Sequence, residues 1–210
     1  MIVIIDYGMG NLESVKNAVL FLGKEAVVTA SPERLQSAKK IIFPGVGHFA
    51  QAVKQLESRR LIDPLKEKIK EGVPFLGICL GMHLLFEKSS EAQGVSGLGV
   101  IKGKVSRFDD NGLIVPHMGW NQIKKVQSPK SKVQSQDEMV DLFEGIEDGS
   151  YFYFAHSYFC QPREKVALAT TDYGQEFVSA LGKKNIWGIQ FHPEKSQKKG
   201  LKVLENFLKA

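Results

Sequence analysis

Two cysteines in 210 residues, Cys79 and Cys160, are too few for a disulfide framework in a chain of this length. A reducing compartment would keep both as thiols. No apolar run approaches the roughly 20 residues that a membrane-spanning helix requires. The first residues, Met1-Ile2-Val3-Ile4-Ile5-Asp6, lack the basic start and cleavage region of a secretory signal. A cytoplasmic chain with no membrane partner is expected. A strong excess of one charge sign is missing too: 28 Lys and Arg face 23 Asp and Glu, for a net charge of +5. Nucleic-acid binding would call for a basic stripe with interleaved aromatics. The lysines are instead scattered, and the late cluster Lys195, Lys198, Lys199 and Lys202 reads as a solvated helix face. Gly8-x-Gly10 has Glu13 where a dinucleotide fingerprint needs its third glycine. His192-x-Glu194 has no further metal ligands at suitable spacing. Neither a metal nor a cofactor is expected.

What remains is ordinary for a water-soluble globular protein, 43% hydrophobic and 24% charged residues, and a single domain over 1–210 is expected. Ile2 to Ile5 is a continuous apolar run, as in a parallel strand buried on both faces. Leu12, Val15, Val19 and Leu22 repeat at helical spacing before Gly23. Strands are predicted at Glu25–Thr29 and Lys40–Phe43, with Ser31-Pro32 opening a helix between them. Helical patterns follow over Phe49–Leu56 and Leu61–Ile69. Beyond Glu87 the pattern predicts an irregular Gly94–Gly99 and short strands at Val100–Phe108, Leu113–Val115 and Gln122–Val126. A polar stretch at about 126–139, with Lys-Val-Gln-Ser at 125–128 echoed at 132–135, reads as a loop insertion. Strand patterns resume over Tyr151–Cys160, Val166–Asp172, Phe177–Leu181 and Ile186–Phe191, and an amphipathic helix closes the chain. The alternation of strands and helices argues for a doubly wound α/β sheet.

Phe75-Leu76-Gly77-Ile78-Cys79-Leu80-Gly81 is the centre of this pattern. A short apolar run ends in a cysteine with glycine two residues away on each side, and a helix-compatible stretch, Met82 to Glu87, follows. This is a nucleophile elbow with cysteine in place of serine. A side chain projecting from so tight a turn leaves no room for Cβ atoms beside it. The helix start favours thiolate over thiol. A lone cysteine in an apolar run is more often core packing, so the elbow needs a base and an orienting group. His192-Pro193-Glu194 follows a predicted strand end. Proline holds the preceding residue extended, and residues i and i+2 of an extended segment face one side. The Glu194 carboxylate is thereby placed to orient the His192 imidazole. Pro44-Gly45-Val46-Gly47, after the third predicted strand, allows close backbone approach to a ligand. His117, His156 and Cys160 read as packing residues.

Pro-Gly-Val-Gly, Gly-Ile-Cys-Leu-Gly and His-Pro-Glu, in this order, resemble the class I glutamine amidotransferases over essentially the whole chain. Asp6-Tyr7-Gly8-Met9-Gly10-Asn11, Pro116-His117-Met118-Gly119-Trp120-Asn121 and His156-Ser157-Tyr158 are similar to that family's glutaminase subunits of imidazole glycerol phosphate synthase. Val46 speaks against the anthranilate type, which has Pro-Gly-Pro-Gly. The resemblance implies a flavodoxin-like fold: a doubly wound, largely parallel central sheet with helices on both faces, plus a smaller antiparallel sheet. It implies that Cys79 attacks the side-chain amide of L-glutamine, with His192 as base and acid and Glu194 orienting it. The oxyanion hole would use the backbone of Leu80 and of the Val46-Gly47 peptide. Gly47, His83, Glu91, Ser157 and Tyr158 match substrate-binding positions. Asn11, Trp120, Tyr153 and Lys195 match positions facing a (β/α)₈-barrel cyclase subunit. A separate partner chain is expected, because no synthase domain follows within the sequence. His83 departs from the family, which has glutamine there; a simple substitution donating a hydrogen bond to substrate is expected, the alternatives being a perturbed thiolate or a paralogue with altered activity. Two other uses fit the same residues: a paralogue feeding ammonia to an amino-sugar synthetase, or a non-catalytic homologue.

Overall fold

The computed structural model describes residues 1–110, 112–126 and 139–210. The predicted insertion therefore lies, apart from its end residues, outside the described residues. The elements run β1 (Ile2–Ile5), α1 (Leu12–Phe21), β2 (Ala26–Thr29), α2 (Pro32–Gln36), β3 (Lys40–Gly45), α3 (Phe49–Ser58) and α4 (Ile62–Lys70). Then come β4 (Phe75–Cys79), α5 (Leu80–His83), β5 (Phe86–Ser89), β6 (Ala92–Ser96) and β7 (Ile101–Arg107). After these are β8 (His117–Gln122), β9 (Lys124–Lys125), β10 (Tyr151–His156), β11 (Tyr158–Pro162) and β12 (Ala167–Asp172). The last are β13 (Glu176–Lys183), β14 (Ile186–Ile189), a 3₁₀ turn at Pro193–Lys195, and α6 (Gln197–Phe207).

Among the described residues, the large sheet has the path β2-β1-β3-β4-β14-β13-β11-β7-β5-β6. Strands β2, β1, β3, β4 and β14 pair parallel in that order, and beyond β14 the sheet continues with antiparallel pairings except for the parallel pair β7 and β5. A separate antiparallel pair joins β8 to β10. Strand β1 shows why an apolar run suits the parallel half. Val3 and Ile5 pack with α3 and α4, through Phe49, Leu56 and Leu65, on one face of the sheet. Ile4 packs with α1 and α6, through Val15, Val19, Val203 and Phe207, on the other. Ser31 caps α2 as predicted, its Oγ accepting from the Arg34 N–H, with Pro32 in the first turn. The chain order places the C-terminal ends of β1, β3, β4 and β14 along one edge, where open α/β sheets bind ligands. No described helix is long and apolar enough to cross a membrane.

Three local expectations change. The helix after Cys79 is a single turn, and Phe86–Ser89 is strand. The returning chain claims the backbone that a longer helix would need: Leu98, Gly97 and Ile101 donate to the carbonyls of Leu84, Glu87 and Leu85. Gly94–Gly99 is not wholly irregular, since β6 pairs with β5. Gly97 crosses so close to β5 that a Cβ there would lie 2.3 Å from the Phe86 carbonyl oxygen. Leu113–Val115 is not a strand; pairing begins one proline later, at His117, because Pro116 offers no N–H to a ladder.

Candidate active site

Cys79 ends β4 at φ +52°, a conformation that favours glycine, yet it is held there by both neighbours. A Cβ on Gly81 would lie 1.7 Å from the carbonyl oxygen of Phe43 on β3, and one on Gly77 would lie 2.8 Å from the Gly81 carbonyl. The flanking glycines are thus dictated by backbone packed against backbone, which no side chain can yield to. The turn aims Cys79 over the sheet edge while burying it to 5% exposure. Because α5 is one turn, any macrodipole at the sulfur is that of a single turn, smaller than a full helix would give.

His192 follows β14, the parallel neighbour of β4. Its Nδ1 lies 2.9 Å from Glu194 Oε1, the placement anticipated from His-Pro-Glu, and both side chains are buried. Its Nε2 is buried and, among the described residues, has no partner within hydrogen-bond geometry, leaving the Cys79 sulfur as the group it faces. Burial alone would push the imidazole pKa down, but the Cys79 sulfur and the Glu194 carboxylate outweigh it and raise it to about 10. The backbone of His192 is also fastened. Its N–H donates to the Tyr153 carbonyl, and its carbonyl accepts from Ser196 Oγ at 2.6 Å, while the Tyr153 N–H donates to that Oγ.

A small pocket opens at Cys79, lined by Val46, Gly47, Leu80, His83, Glu91, Ala155, His156 and Tyr158. It gathers both proposed oxyanion segments and most of the substrate positions expected from sequence. Gly47 has φ +106°, and a Cβ there would lie 2.7 Å from Met9 Cε. Glu91 is fixed by the Phe49 N–H on its Oε2, at 2.8 Å. Ser157 does not line this pocket; it sits in the turn from β10 to β11, its carbonyl bound by the Phe108 N–H. His83 does face the pocket, but its Nε2 is engaged with Gln190 Oε1 at 2.8 Å. The nitrogen expected to serve substrate is therefore already in use within the protein.

Three of the four partner positions come together on the antiparallel β8–β10 pair and the turn after β14. Trp120 lies opposite Tyr153 in register, their rings 6.1 Å apart, and Lys195 Nζ is 5.7 Å from the Tyr153 ring centre. Trp120 is about half exposed. Asn11 stands at the start of α1, its Oδ1 accepting from Ser14 Oγ. The broader depression on the surface adjoins Trp120 and Tyr151, away from Cys79, and so belongs to this face rather than to the chemistry.

Sequence reading missed three groups. Gln190 is fully buried and its Nε2 lies 3.7 Å from Cys79 Sγ. The signal was there: Gln190 stands two residues before His192 and shares its side of an extended segment. His117 and His156, each read singly as packing, face each other across β8 and β10 with 3.0 Å between His117 Nδ1 and His156 Nε2. The Tyr158 carbonyl can only accept, so His156 Nδ1 donates to it, and its Nε2 must accept from His117. His117 Nε2 in turn accepts from Asn121 Nδ2. Both rings are neutral, burial pushing His117 to about 4 and His156 well below its ordinary value. Tyr7 is the third group, its buried hydroxyl packed against Gly45 and without a hydrogen-bond partner among the described residues.

Similarity to known proteins agrees with this geometry. The profile of the family "Glutamine amidotransferase class-I" matches residues 3–210. The chain is 48% identical to "Imidazole glycerol phosphate synthase subunit HisH 1" of Methanococcus maripaludis, over 99% of this chain and 98% of that one. It is 49% identical to "Imidazole glycerol phosphate synthase subunit HisH" of Desulfitobacterium hafniense, over 99% of this chain and 93% of that one. Among solved structures, a chain titled "Crystal structure of glutamine amidotransferase" superposes with a TM-score of 0.74 at 19% identity, covering 99% of this chain and 97% of that one. One from the Thermotoga maritima PurLQS structure gives 0.73 at 17% identity, with the same coverage. At these identities the two structures speak for the fold alone.

Proposed function

The chain belongs to the class I glutamine amidotransferases, and on that basis we infer that it is the glutaminase subunit of an imidazole glycerol phosphate synthase. It hydrolyses glutamine to glutamate and ammonia for a cyclase that makes imidazole glycerol phosphate and an aminoimidazole carboxamide ribotide in histidine biosynthesis. The observation that carries the reading is identity of 48–49% to such subunits over nearly the whole length of both chains. The buried Cys79, His192 and Glu194 at one sheet edge support the chemistry. The mainly cytosolic setting of amino-acid biosynthesis and the two free thiols support a cytoplasmic location. Strands from both ends of the chain share one sheet, which supports treating 1–210 as one domain.

The Cys79 thiolate attacks the carbonyl carbon of the glutamine side-chain amide. The oxyanion is received by backbone N–H groups at Leu80 and at the Val46-Gly47 peptide; one such donor is worth on the order of 10²–10³ in rate. His192, an imidazolium at neutral pH while the sulfur is ionised, gives its proton to the departing nitrogen. Ammonia leaves, and a γ-glutamyl thioester remains. Neutral His192 then takes a proton from water as the oxygen adds to the thioester carbon. Collapse expels the thiolate and releases glutamate. Gly47, Glu91, Ser157 and Tyr158 hold the glutamine, with His83 at the same pocket. Ammonia is nucleophilic only when unprotonated, so a dry route into a (β/α)₈-barrel partner docked on Asn11, Trp120, Tyr153 and Lys195 suits the chemistry. Gly45-Val46-Gly47 completes the oxyanion hole when that partner and its ribotide bind, leaving the isolated subunit a poor glutaminase.

The test is co-purification with a candidate barrel cyclase, then glutamine hydrolysis with and without the ribotide. Ribotide-stimulated turnover in the complex is expected. Full activity of the chain alone would overturn the gating, and absence of any complex would overturn the assignment.

A further inference from the structure

We propose that Gln190 is a further catalytic residue, donating an amide N–H to the Cys79 sulfur, and that His83 is the positioning residue that fixes its amide. The proposal rests on the reading of Cys79 as the nucleophile. Gln190 directly follows β14, two residues before His192, and its side chain is fully buried. Its Nε2 lies 3.7 Å from Cys79 Sγ, and its Oε1 lies 2.8 Å from His83 Nε2. Its backbone is held as well, the N–H donating to the Ser179 carbonyl on β13. The side chain is thus fixed at its root and at its tip.

Chemical type sets the direction of this chain of hydrogen bonds. A thiolate only accepts, so Gln190 must offer it the NH₂ end. The amide oxygen then faces His83, and an amide oxygen also only accepts. His83 must therefore carry its proton on Nε2. Buried to 5% exposure, it is neutral across the physiological range, its pKa lowered to about 4 by burial, which exceeds the opposing effect of the Gln190 bond. A neutral Nε2–H imidazole meets this requirement without bringing a second positive charge beside His192. The donation runs one way, from His83 to Gln190 to the sulfur. The histidine in the family's glutamine position thereby keeps the Gln190 amide from rotating, which would turn an oxygen lone pair toward the thiolate. The thiolate is then held from two sides, by the His192 cation and by a neutral amide. When the thioester collapses, the expelled thiolate meets this donor together with His192, which has by then regained a proton from water.

Besides Gln190, the ionisable groups around Cys79 are His192 after β14, with Glu194 behind it, Tyr7 after β1 and Cys160 on β11. His83 in α5, Glu91, His156 on β10 and Tyr158 on β11 line the same pocket. The experiment measures the pH dependence of Cys79 alkylation by iodoacetamide in the full chain complexed with its barrel partner. The alkylation profile is expected to move upward by about one pH unit in Gln190→Leu, a tenfold slower reaction at pH values below the transition. In Gln190→Glu it should rise further, because a carboxylate replaces the donor. His83→Leu should produce part of the Gln190→Leu shift, and His83→Gln should restore the wild-type profile, since an amide N–H can also donate to Oε1. Glutamine KM should move less than kcat. Circular dichroism confirms that each variant is folded, and His83→Gln against His83→Leu decides the matter if Gln190→Leu is not. Wild-type alkylation profiles in Gln190→Glu, or in His83→Leu, would overturn the proposal. Cys79→Ser tests the parent reading separately: retained glutaminase activity there would sink the nucleophile itself.

Discussion

Replacing Glu194 by Gln preserves volume and removes one negative charge from a buried site. Glu194 Oε1 lies 2.9 Å from His192 Nδ1, and both side chains are at most 4% exposed. At an effective dielectric of about 20, a unit charge at that separation is worth roughly 6 kcal/mol to the imidazolium. Divided by about 1.4 kcal/mol per pKa unit, that is about four units. Such a contribution is of the size needed to raise His192 from 6.5 to about 10 against its own burial, with the Cys79 sulfur assisting. Glu194→Gln should therefore return His192 to its ordinary range or below, and the thiolate loses its counter-ion at neutral pH. A second effect reinforces the first. Among the described residues Glu194 Oε2 has no hydrogen-bond partner, and none of them selects which end of the new amide faces Nδ1. When the NH₂ end does, the imidazole is driven into the tautomer with its proton on Nε2, which cannot act as base. We expect kcat for glutamine to fall on the order of 10²–10⁴ with KM within a few-fold. Steady-state glutamate release by the complex, together with the pH profile of Cys79 alkylation, measures both effects. A kcat within fivefold of wild type, or an unmoved alkylation profile, would refute the assignment of Glu194 to the imidazole.

Acid should destabilise the fold through its buried neutral histidines. The folded pKa of His83 is lowered from 6.5 to about 4, so the unfolded chain binds the proton first as pH falls. The stability due to its neutral burial is full above pH 6.5 and lost as pH drops through about 4, roughly 3 kcal/mol over that window. Thermal melts at pH 7 and 4.5 should show the loss, and a smaller one in His83→Gln. The His192 contribution has the opposite sign, full below pH 6.5 and lost as pH rises through about 10. Tyr7→Phe removes a hydroxyl with no hydrogen bond, so stability should change by less than about 1 kcal/mol. Gly45→Ala should cost more than about 2 kcal/mol, because its Cβ would lie 1.9 Å from that hydroxyl. Combined with Tyr7→Phe, part of the cost should return; strict additivity in urea melts would count against this contact. Trp120→Ala should weaken docking to the barrel partner about 30-fold or more, read by titration calorimetry. An unchanged Kd would place the interface elsewhere.

The parts of the fold legible in the sequence were those set by near neighbours. The apolar run Ile2–Ile5, the cap at Ser31 and the His-Pro-Glu geometry each depend on residues a few positions apart. The elbow was legible for the same reason, although its full cause was not. Gly81 is glycine because of Phe43, 38 positions earlier on a neighbouring strand. The single-turn helix was missed because the chain at 97–101 takes the Leu84, Leu85 and Glu87 carbonyls, a competition that local propensity cannot register. His117 and His156 are 39 positions apart, and only the β8–β10 register makes them a pair. Gln190 is neither charged nor nucleophilic, and its significance lies in the proximity of Cys79 and His83, more than 100 positions earlier in the chain.

Tyr153 serves two surfaces at once. Its ring faces outward beside Trp120 and Lys195, while its peptide carbonyl holds the His192 N–H and its own N–H holds Ser196. No chain of intermediaries separates the proposed docking surface from the proposed proton-transfer group; a single residue is the mount for both. A misplacement of about 1 Å in a reacting group can cost on the order of 100-fold in rate. Anyone redesigning this subunit for a foreign synthase thus has little freedom in the path of β10, however freely the exposed rings and ammonium are exchanged. The tolerance of the assembly is set by the backbone, and its specificity by what hangs from it.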